Sequence, residues 1–263
     1  MAVQLNHAGR KGSTGCHAIG FDGQSVPEEQ GGWRTVCPSA NAYGSLARPR
    51  ALSVDEIHTI VDQFRDAAWR AMNIGFDAVE VHAAHGYLPS QFLDPLINER
   101  DDEYGGSFDN RVRMLVEVVD AIRSVVPDTM PVLVRVSATD WAAGGWDLDQ
   151  TVELAKILKA HGVDLIDVST GGLIPDVTIP VKPDYQVPFA EQVRSRAAFP
   201  PPQSGSSPTE AGEEDSEVGR RRRRGNRPRR PARPVLAAPC RPQTGRAGRG
   251  SPYQPPYLRG AFR

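Results

Sequence analysis

The chain has 263 residues, 24% of them charged, which is enough for one large α/β domain or two smaller ones. Its net charge of −1 conceals two unlike parts: residues 195–263 hold 15 arginines, no lysine and 5 acidic residues, a balance of +10, whereas residues 1–194 carry −11. No apolar run approaches the roughly 18 residues of a membrane-spanning helix, and the N-terminus lacks the basic and apolar regions of a signal peptide. Three cysteines without metal-ligand spacing favour a reducing, cytoplasmic setting.

Strand and helix patterns alternate through the first part of the chain. A strand at residues 3–5 is followed by a long loop over residues 9–50 that is rich in Gly, Pro, Ser and Asn. Ser53 followed by Glu56 predicts a capping box, and apolar residues at helical spacing predict a helix that ends before Gly75. Further strands are predicted at 78–82, 131–137 and 164–169, and further helices at 107–126 and about 149–161. A second long loop is predicted at about 93–106.

This alternation predicts a parallel sheet covered by helices, either an open doubly wound sheet or a closed (β/α)8 TIM barrel. An open sheet favours a G-x-G-x-x-G phosphate turn, and none follows a strand here. Each strand instead ends in a polar residue, and many strand ends contributing to one site favour the barrel. Those residues are Gln4 or His7, His82, Arg135 and Ser169. Four strands are legible where a barrel has eight, so we expect an α/β fold that is an incomplete TIM barrel over residues 1–194.

Two histidines three residues apart, His82 and His85, stand at the end of one predicted strand, and Tyr87 follows them. A single histidine there would most simply be a core or surface residue. A His-x-x-His pair is also a possible zinc site, although no carboxylate or cysteine stands nearby as a third ligand. A third interpretation is an electrophilic pair, in which each ring donates an N–H to one substrate oxygen and Tyr87 donates a proton.

Arg135 lies inside a predicted strand between Val134 and Val136. A guanidinium removed from water needs an anionic or strongly polar partner. That partner is either a carboxylate on a neighbouring strand, Glu80 or Asp167, or a bound ligand that accumulates negative charge. The residue pattern favours neither.

Gln4 and the turn at residues 169–172 give weaker signals. Gln4 carries both a donor and an acceptor, so it could bond the edge of a heterocycle or be an ordinary strand residue. Ser169, Gly171 and Gly172 follow a strand end, where small residues allow either a plain turn or close backbone approach to a flat cofactor or a phosphate.

Several stretches together resemble the old yellow enzyme family, in particular its thermophilic-like bacterial branch. They are Gln4-Leu5-x-His7-Ala8-Gly9-Arg10, His82-Ala83-Ala84-His85-Gly86-Tyr87-Leu88, Asp102-Glu103-Tyr104-Gly105-Gly106-Ser107 and Val134-Arg135-Val136-Ser137. Members of this family are FMN-dependent ene-reductases on a (β/α)8 barrel, with NADH or NADPH as reductant. The resemblance covers about residues 1–194 and resumes over the last dozen residues.

The resemblance implies a cofactor role for five positions. Gln4 would bond the pyrimidine edge of FMN, and Arg135 would lie near its N1–C2 carbonyl edge. Ser169, Gly171 and Gly172 would be further cofactor-binding residues.

The same resemblance implies a substrate site. His82 and His85 would bind the carbonyl oxygen of an α,β-unsaturated compound, and Tyr87 would deliver a proton to its α carbon. Arg259 would reach into the active site of a neighbouring subunit, which implies a homo-oligomer. No metal is implied.

Residues 195–251 depart from the family pattern. The run at 220–234 consists largely of Arg and Pro, and the tail as a whole is expected to be disordered because it cannot bury a core. Its composition is that of GC-rich codons, and we hypothesise that about 195–250 is a frame-shifted stretch. A nucleic-acid-binding arm is the alternative interpretation of the arginine tract.

The sequence therefore predicts a cytoplasmic FMN-dependent oxidoreductase that reduces enones with NAD(P)H and has no membrane or nucleic-acid partner. Two alternatives stay open. The chain could be a non-catalytic remnant, too short to hold FMN, or a nucleic-acid-associated protein that acts through its arginine tract.

Overall fold

The computed structural model describes residues 1–15 and 23–199. Strands and helices alternate through the described residues, with a long helix before each of the last three strands of the main sheet. The elements are, in chain order, β1 (Ala2–Leu5), β2 (Val36–Cys37), β3 (Arg50–Ala51), α1 (Val54–Asn73), β4 (Ala78–Ala83), α2 (Leu88–Leu93), α3 (Phe108–Arg123), β5 (Val132–Ser137), α4 (Leu148–Ala160), β6 (Leu165–Ser169) and α5 (Val187–Arg196).

Strands β1, β4, β5 and β6 form one parallel sheet in that order, and β2 pairs with β3 in a separate two-stranded sheet. Each strand of the larger sheet pairs with the next one along the chain. A doubly wound sheet contains a point at which the strand order reverses, and the described residues contain none. The succession is that of four consecutive strands of a (β/α)8 barrel, so the predicted fold class is confirmed.

Side-chain caps fix where the three long helices begin. Ser53 and Glu56 form the predicted capping box, in which each side chain accepts a hydrogen bond from the other residue's backbone N–H. The Ser107 side chain caps α3, and the Asp147 side chain caps α4. Because a cap satisfies backbone donors that the helix itself leaves unpaired, these residues mark the helix starts in the sequence.

The helices cover one face of the sheet with apolar contacts. Alternate residues of a strand point to opposite faces, and every side chain of β4 and β5 that points toward the helices is apolar. Those residues are Val79, Val81, Ala83, Val132, Val134 and Val136. In the part of the chain that the structure describes, no helix has the length and apolar character needed to cross a bilayer.

Two features of the fold were not predicted. Helix α2 begins directly after the Tyr87 motif, and all six of its residues are buried. A short helix that is buried on every side has no amphipathic period for a sequence pattern to reveal. The predicted long loop over residues 9–50 also contains regular structure, namely the β2–β3 pair and a 3-10 helix at Gly9–Lys11.

The described structure continues past residue 194, where the sequence analysis placed the end of the barrel domain. Helix α5 continues to Arg196, which pairs with Asp149 at 2.7 Å, and Ala197 is buried behind it. Residues 200–263 lie outside the described residues. The predicted disordered tail beyond that point, the frame-shift hypothesis and the arginine tract therefore stay predictions.

Candidate active site

Polar side chains from three strands meet on the face of the sheet that points away from the helices. In the strand register His82 stands opposite Arg135, and Arg135 stands opposite Asp167. Two residues further along these strands, toward the carboxyl edge of the sheet, Ser137 stands opposite Ser169. Ligands of barrel proteins bind at this edge, so these residues are where a site is expected.

The structure brings the three predicted substrate-binding residues together. The ring centroids of His82 and His85 lie 5.1 Å apart, and those of His82 and Tyr87 lie 5.0 Å apart. His85 Nδ1 is 3.3 Å from His82 Nε2. The backbone of His85 has a φ of 55°, and its N–H donates to Ser137 Oγ at 3.0 Å, so the turn after β4 is tied to β5.

Both imidazoles are neutral near pH 7. Burial lowers the pKa of His82 to about 4, and the charge of Arg135 acts in the same direction. Burial also lowers the pKa of His85 to about 4, with smaller contributions from His82, Arg135 and Lys11. A neutral imidazole keeps one N–H donor and one lone pair, so each ring can hold a ligand oxygen without bringing a charge of its own.

Arg135 lies within the cluster and also forms an ion pair. Its Nη1 is 3.3 Å from Asp167 Oδ2, which is one of the two partners that the sequence left open. Its Nε is buried and has no hydrogen-bond partner among the described residues. Burial raises the pKa of Asp167 and of Glu80, and in both cases the charge of Arg135 opposes that rise. The guanidinium therefore stabilises two half-buried carboxylates and still has a donor to offer.

Gln4 lies apart from the histidines. Its Nε2 donates to Glu80 Oε2 at 2.6 Å, so it is connected to the cluster through that carboxylate. It also lines a pocket of about 300 Å³ between β1 and α1, and His82, His85 and Arg135 are not among the residues that line this pocket. The pocket is lined by Gln4, Leu5, Asn6, His7, Ile60, Gln63, Phe64 and Ala67.

The turn after β6 packs tightly against the protein. Gly171 and Gly172 have φ values of 69° and 85°, a region that favours glycine. A Cβ on Gly171 would lie 2.5 Å from Ile179 Cδ1, and one on Gly172 would lie 2.8 Å from His85 Cα. The close neighbours of both glycines are thus protein atoms, and their contact with a cofactor stays a prediction.

Lys11 also lies at the site, and the sequence analysis did not single it out. Its Nζ donates to the backbone carbonyls of His85, at 2.9 Å, and Gly172, and it lies 4.0 Å from the ring centroid of Tyr43. Burial lowers the pKa of Lys11 to about 8, and the neighbouring Arg10 acts in the same direction. Lys11 thereby connects three loops at the carboxyl edge. Its position after the first quoted motif was the available signal.

The cluster carries several buried polar atoms that lack a partner among the described residues. They are His82 Nδ1, Arg135 Nε, Trp141 Nε1 and Thr170 Oγ1. Leaving such an atom unpaired costs about 1–3 kcal/mol, so a ligand that pairs with them would be favoured. A flat heterocycle with carbonyl oxygens and ring nitrogens along one edge supplies matching acceptors, and the donor set therefore fits FMN. Residues 1–15 and 23–199 contain no group of three or more His, Cys, Asp or Glu side chains that could hold a metal ion.

Comparison with known proteins points to the same chemistry. Residues 1–209 match the model of the NADH:flavin oxidoreductase / NADH oxidase family. An NADH:flavin oxidoreductase of Gibberella zeae is 46% identical over 210 residues, which cover 74% of this chain and 51% of that protein. An NADPH dehydrogenase of Listeria welshimeri is 46% identical over 198 residues, which cover 75% of this chain and 53% of that protein.

A solved structure gives the same result for the fold. The old yellow enzyme homologue from Zymomonas mobilis superposes with a TM-score of 0.56 at 28% identity, over 82% of this chain and 59% of that one. The chain spans about half the length of the curated relatives it matches. The family uses FMN with NADH or NADPH as reductant. The resemblance found in the sequence is therefore confirmed, and this chain belongs to the NADH:flavin oxidoreductase / NADH oxidase family.

Proposed function

We propose that this chain is part of an FMN-dependent oxidoreductase that reduces the C=C bond of α,β-unsaturated carbonyl compounds with hydride taken from NADH or NADPH. The observation that carries the proposal is the pair of neutral, buried imidazoles of His82 and His85 beside Tyr87. Because the chain spans about half of its relatives, the activity of the whole protein is itself part of the proposal.

The histidine pair would hold the carbonyl oxygen of the substrate. Its N–H donors would stabilise the negative charge that develops on that oxygen when the β carbon is reduced. Removing one well-placed donor of this kind typically costs about 2.7–4 kcal/mol of transition-state stabilisation. Tyr87, whose ring lies 5.0 Å from that of His82, would hold at its Oη the proton that goes to the α carbon.

The cofactor would lie against the cluster from the side of Arg135. The unpartnered Nε of Arg135 would face the N1–C2 carbonyl edge of FMN, and its charge would stabilise negative charge on the ring. Gln4 would serve the pyrimidine edge, with Ser169, Gly171 and Gly172 as further contacts. Bound FMN would supply the hydride, and the protein would supply binding, orientation and electrostatics.

A double substitution separates the substrate role from the cofactor role. In the purified full chain, His82→Ala with His85→Ala should abolish binding of 2-cyclohexenone, followed by the change in flavin absorbance, and leave FMN bound. His161→Ala is a matched control, because His161 pairs with Asp120 at the end of α4, away from the cluster. Loss of FMN in the double variant, or enone reduction at the unchanged rate, would contradict the assignment.

A specific observation also favours the alternative of a remnant that does not hold FMN. Within the described residues, β1 and β6 each have only one neighbouring strand, and open strand edges invite aggregation. A colourless product that aggregates and does not quench FMN fluorescence would support the remnant and contradict our proposal. The cytoplasmic location, the homo-oligomer and the contribution of Arg259, which lies outside the described residues, stay predictions.

A further inference from the structure

The polar face of the main sheet carries a single cation. Alternate residues of β1, β4, β5 and β6 point to this face, and Arg135 is the one lysine or arginine among them. Two carboxylates share the face, Glu80 on β4 and Asp167 on β6. His82 and His85 beside them are neutral, so the face has a net charge of −1 when both carboxylates are ionised. Its one guanidinium is therefore the group that can hold further negative charge there.

The two carboxylates differ in their contact with that guanidinium. Asp167 stands opposite Arg135 in the strand register, and its Oδ2 lies 3.3 Å from Arg135 Nη1. Glu80 forms no ion pair with a described residue, and its Oε2 lies 2.6 Å from the side-chain nitrogen of Gln4. Asp167 is therefore the carboxylate that holds Arg135, and Glu80 acts on it through its charge alone.

The ion pair leaves part of the guanidinium available. Water reaches it only in part, since the side chains of Arg135 and Asp167 are 30% and 25% exposed. A guanidinium is a rigid plane with five N–H donors, so a partner that holds Nη1 also restricts where the other donors point. One of these, Nε–H, is buried and has no partner among the described residues. The contact with Asp167 thus leaves an oriented donor for a ligand.

We propose that Asp167 is a positioning residue that acts through Arg135 and sets how strongly the site prefers reduced over oxidised FMN. The proposal rests on the proposed function, which places the flavin beside Arg135. Hydride transfer from NADH or NADPH to bound flavin adds one negative charge to the ring and releases NAD⁺ or NADP⁺. Arg135 stabilises that charge, and the carboxylate of Asp167 offsets part of the stabilisation. A site that held the reduced ring too strongly would be a poorer hydride donor to the substrate.

Asp167→Asn tests the charge, because the amide keeps the shape of the side chain and an oxygen that can accept from Nη1. Fluorescence quenching gives the Kd of oxidised FMN, and anaerobic reduction against a reference dye gives the midpoint potential of the bound flavin. Together they give the ratio of the oxidised to the reduced Kd, in which the contribution of the FMN phosphate cancels. We expect this ratio to rise about tenfold, which makes the potential about 30 mV more positive for a two-electron couple. An unchanged potential would overturn the proposal, and so would a variant that binds no FMN.

Asp167→Glu separates charge from packing. Glutamate keeps the carboxylate but is one methylene longer, whereas asparagine keeps the shape and loses the charge. If Asp167 acts through its charge, Asp167→Glu should have a potential close to that of the wild type and Asp167→Asn should not. A packing role predicts the reverse order, and that result would contradict the proposal.

Glu80→Gln is the matched control on the same face. It removes a carboxylate that does not contact Arg135, so it should change the Kd ratio less than Asp167→Asn does. Equal changes would show that the ion pair has no special role. Failure of the proposed function is seen separately: a wild type that binds no FMN refutes both proposals, whereas a wild type that binds FMN while Asp167→Asn keeps its potential refutes this one alone.

Discussion

The two faces of the central sheet carry different kinds of side chain, apolar toward the helices and largely polar on the other side. Toward the helices, Val79, Val81, Val132 and Val134 are all 0% exposed and belong to the hydrophobic core. On the other face the same strands carry polar side chains. Those residues are Glu80 and His82 on β4, Arg135 and Ser137 on β5, and Asp167 and Ser169 on β6.

The difference shows how one strand serves two purposes. The apolar face loses water contact without leaving a polar group unpaired, so it stabilises the fold. The polar face retains unpartnered buried atoms, and burial disfavours the charged forms of its carboxylates and imidazoles. Such perturbed groups at a strand edge are characteristic of functional sites.

Introducing the same residue, asparagine, on either face of β5 should separate the two faces by the largest difference in stability. Val134→Asn removes a fully buried apolar side chain and buries an amide with no partner, so it should lower the free energy of unfolding by about 3–5 kcal/mol. Leu133→Asn, one residue away on the polar face, should cost less than about 2 kcal/mol because polar groups are already present there. Urea denaturation measures both, and equal losses would contradict the division into two faces.

The next largest effect is expected from the ion pair of the polar face. Arg135→Met leaves the Asp167 carboxylate without its partner and should cost about 1–3 kcal/mol at pH 7. Burial would still lower the pKa of His82 in the variant, but the smaller contribution of the guanidinium would be lost, so an NMR titration should detect a rise in that pKa. Lys156→Met, which breaks the exposed pair with Glu153, should cost less than about 1 kcal/mol. An equal cost for the two variants would argue that Arg135 is a surface residue.

A buried pair of acids just beyond the cluster predicts a pH dependence. Burial and the neighbouring Asp140 raise the pKa of Asp94 to about 8, so the folded chain holds a proton that the unfolded chain has lost above about pH 4. Stability should therefore fall as pH rises toward 8. His82 and His85 act the other way, because their pKa values are lowered to about 4, so protonation destabilises the fold as pH falls below 6.5.

Between pH 6.5 and 8 the Asp94 contribution can thus be isolated. While only the folded chain holds the Asp94 proton, the free energy of unfolding falls by about 1.4 kcal/mol for each pH unit. Asp94→Asn has no such proton, so its stability should change less over this interval. Thermal unfolding at a series of pH values measures the slope. The exposed Asp128→Asn is the control and should follow the wild type. A wild type whose stability does not fall over this interval would show that Asp94 is ionised in the folded chain.

The smallest effect is expected on the apolar side, at the start of the helix that covers β4. Ser53→Ala removes the cap of α1 and should cost about 1 kcal/mol. Thr59→Ala, in the same helix but past the cap, should stay within about 0.5 kcal/mol of the wild type. If the two variants are alike, the capping box contributes nothing to the stability of this face.

Local patterns were sufficient for the parts of the fold that depend on local physics. The capping box at Ser53 and Glu56 located α1, and strand residues such as Val134 identified β5 from its apolar run. His82 and His85 were found because they are three residues apart in the sequence and follow a strand.

Contacts between distant residues were beyond such patterns. Asp94 and Asp140 lie 46 positions apart, and Ser169 is 84 positions from His85, so neither pair has a local signature. The same holds for Lys11, whose partners lie in the loops after β4 and β6. Local patterns therefore predict which side chains stand at this edge of the sheet, but they do not reveal the contacts that connect those side chains.

Whether the polar face of the sheet binds a flavin is measured by titrating FMN into the purified full chain. Quenching of flavin fluorescence should be saturable for the wild type. Arg135→Met should bind at least about tenfold more weakly, because a charge-assisted hydrogen bond is lost. Lys156→Met should bind as the wild type does. If the wild type shows no saturable quenching, or if Arg135→Met binds FMN with equal affinity, the polar face is not the flavin site.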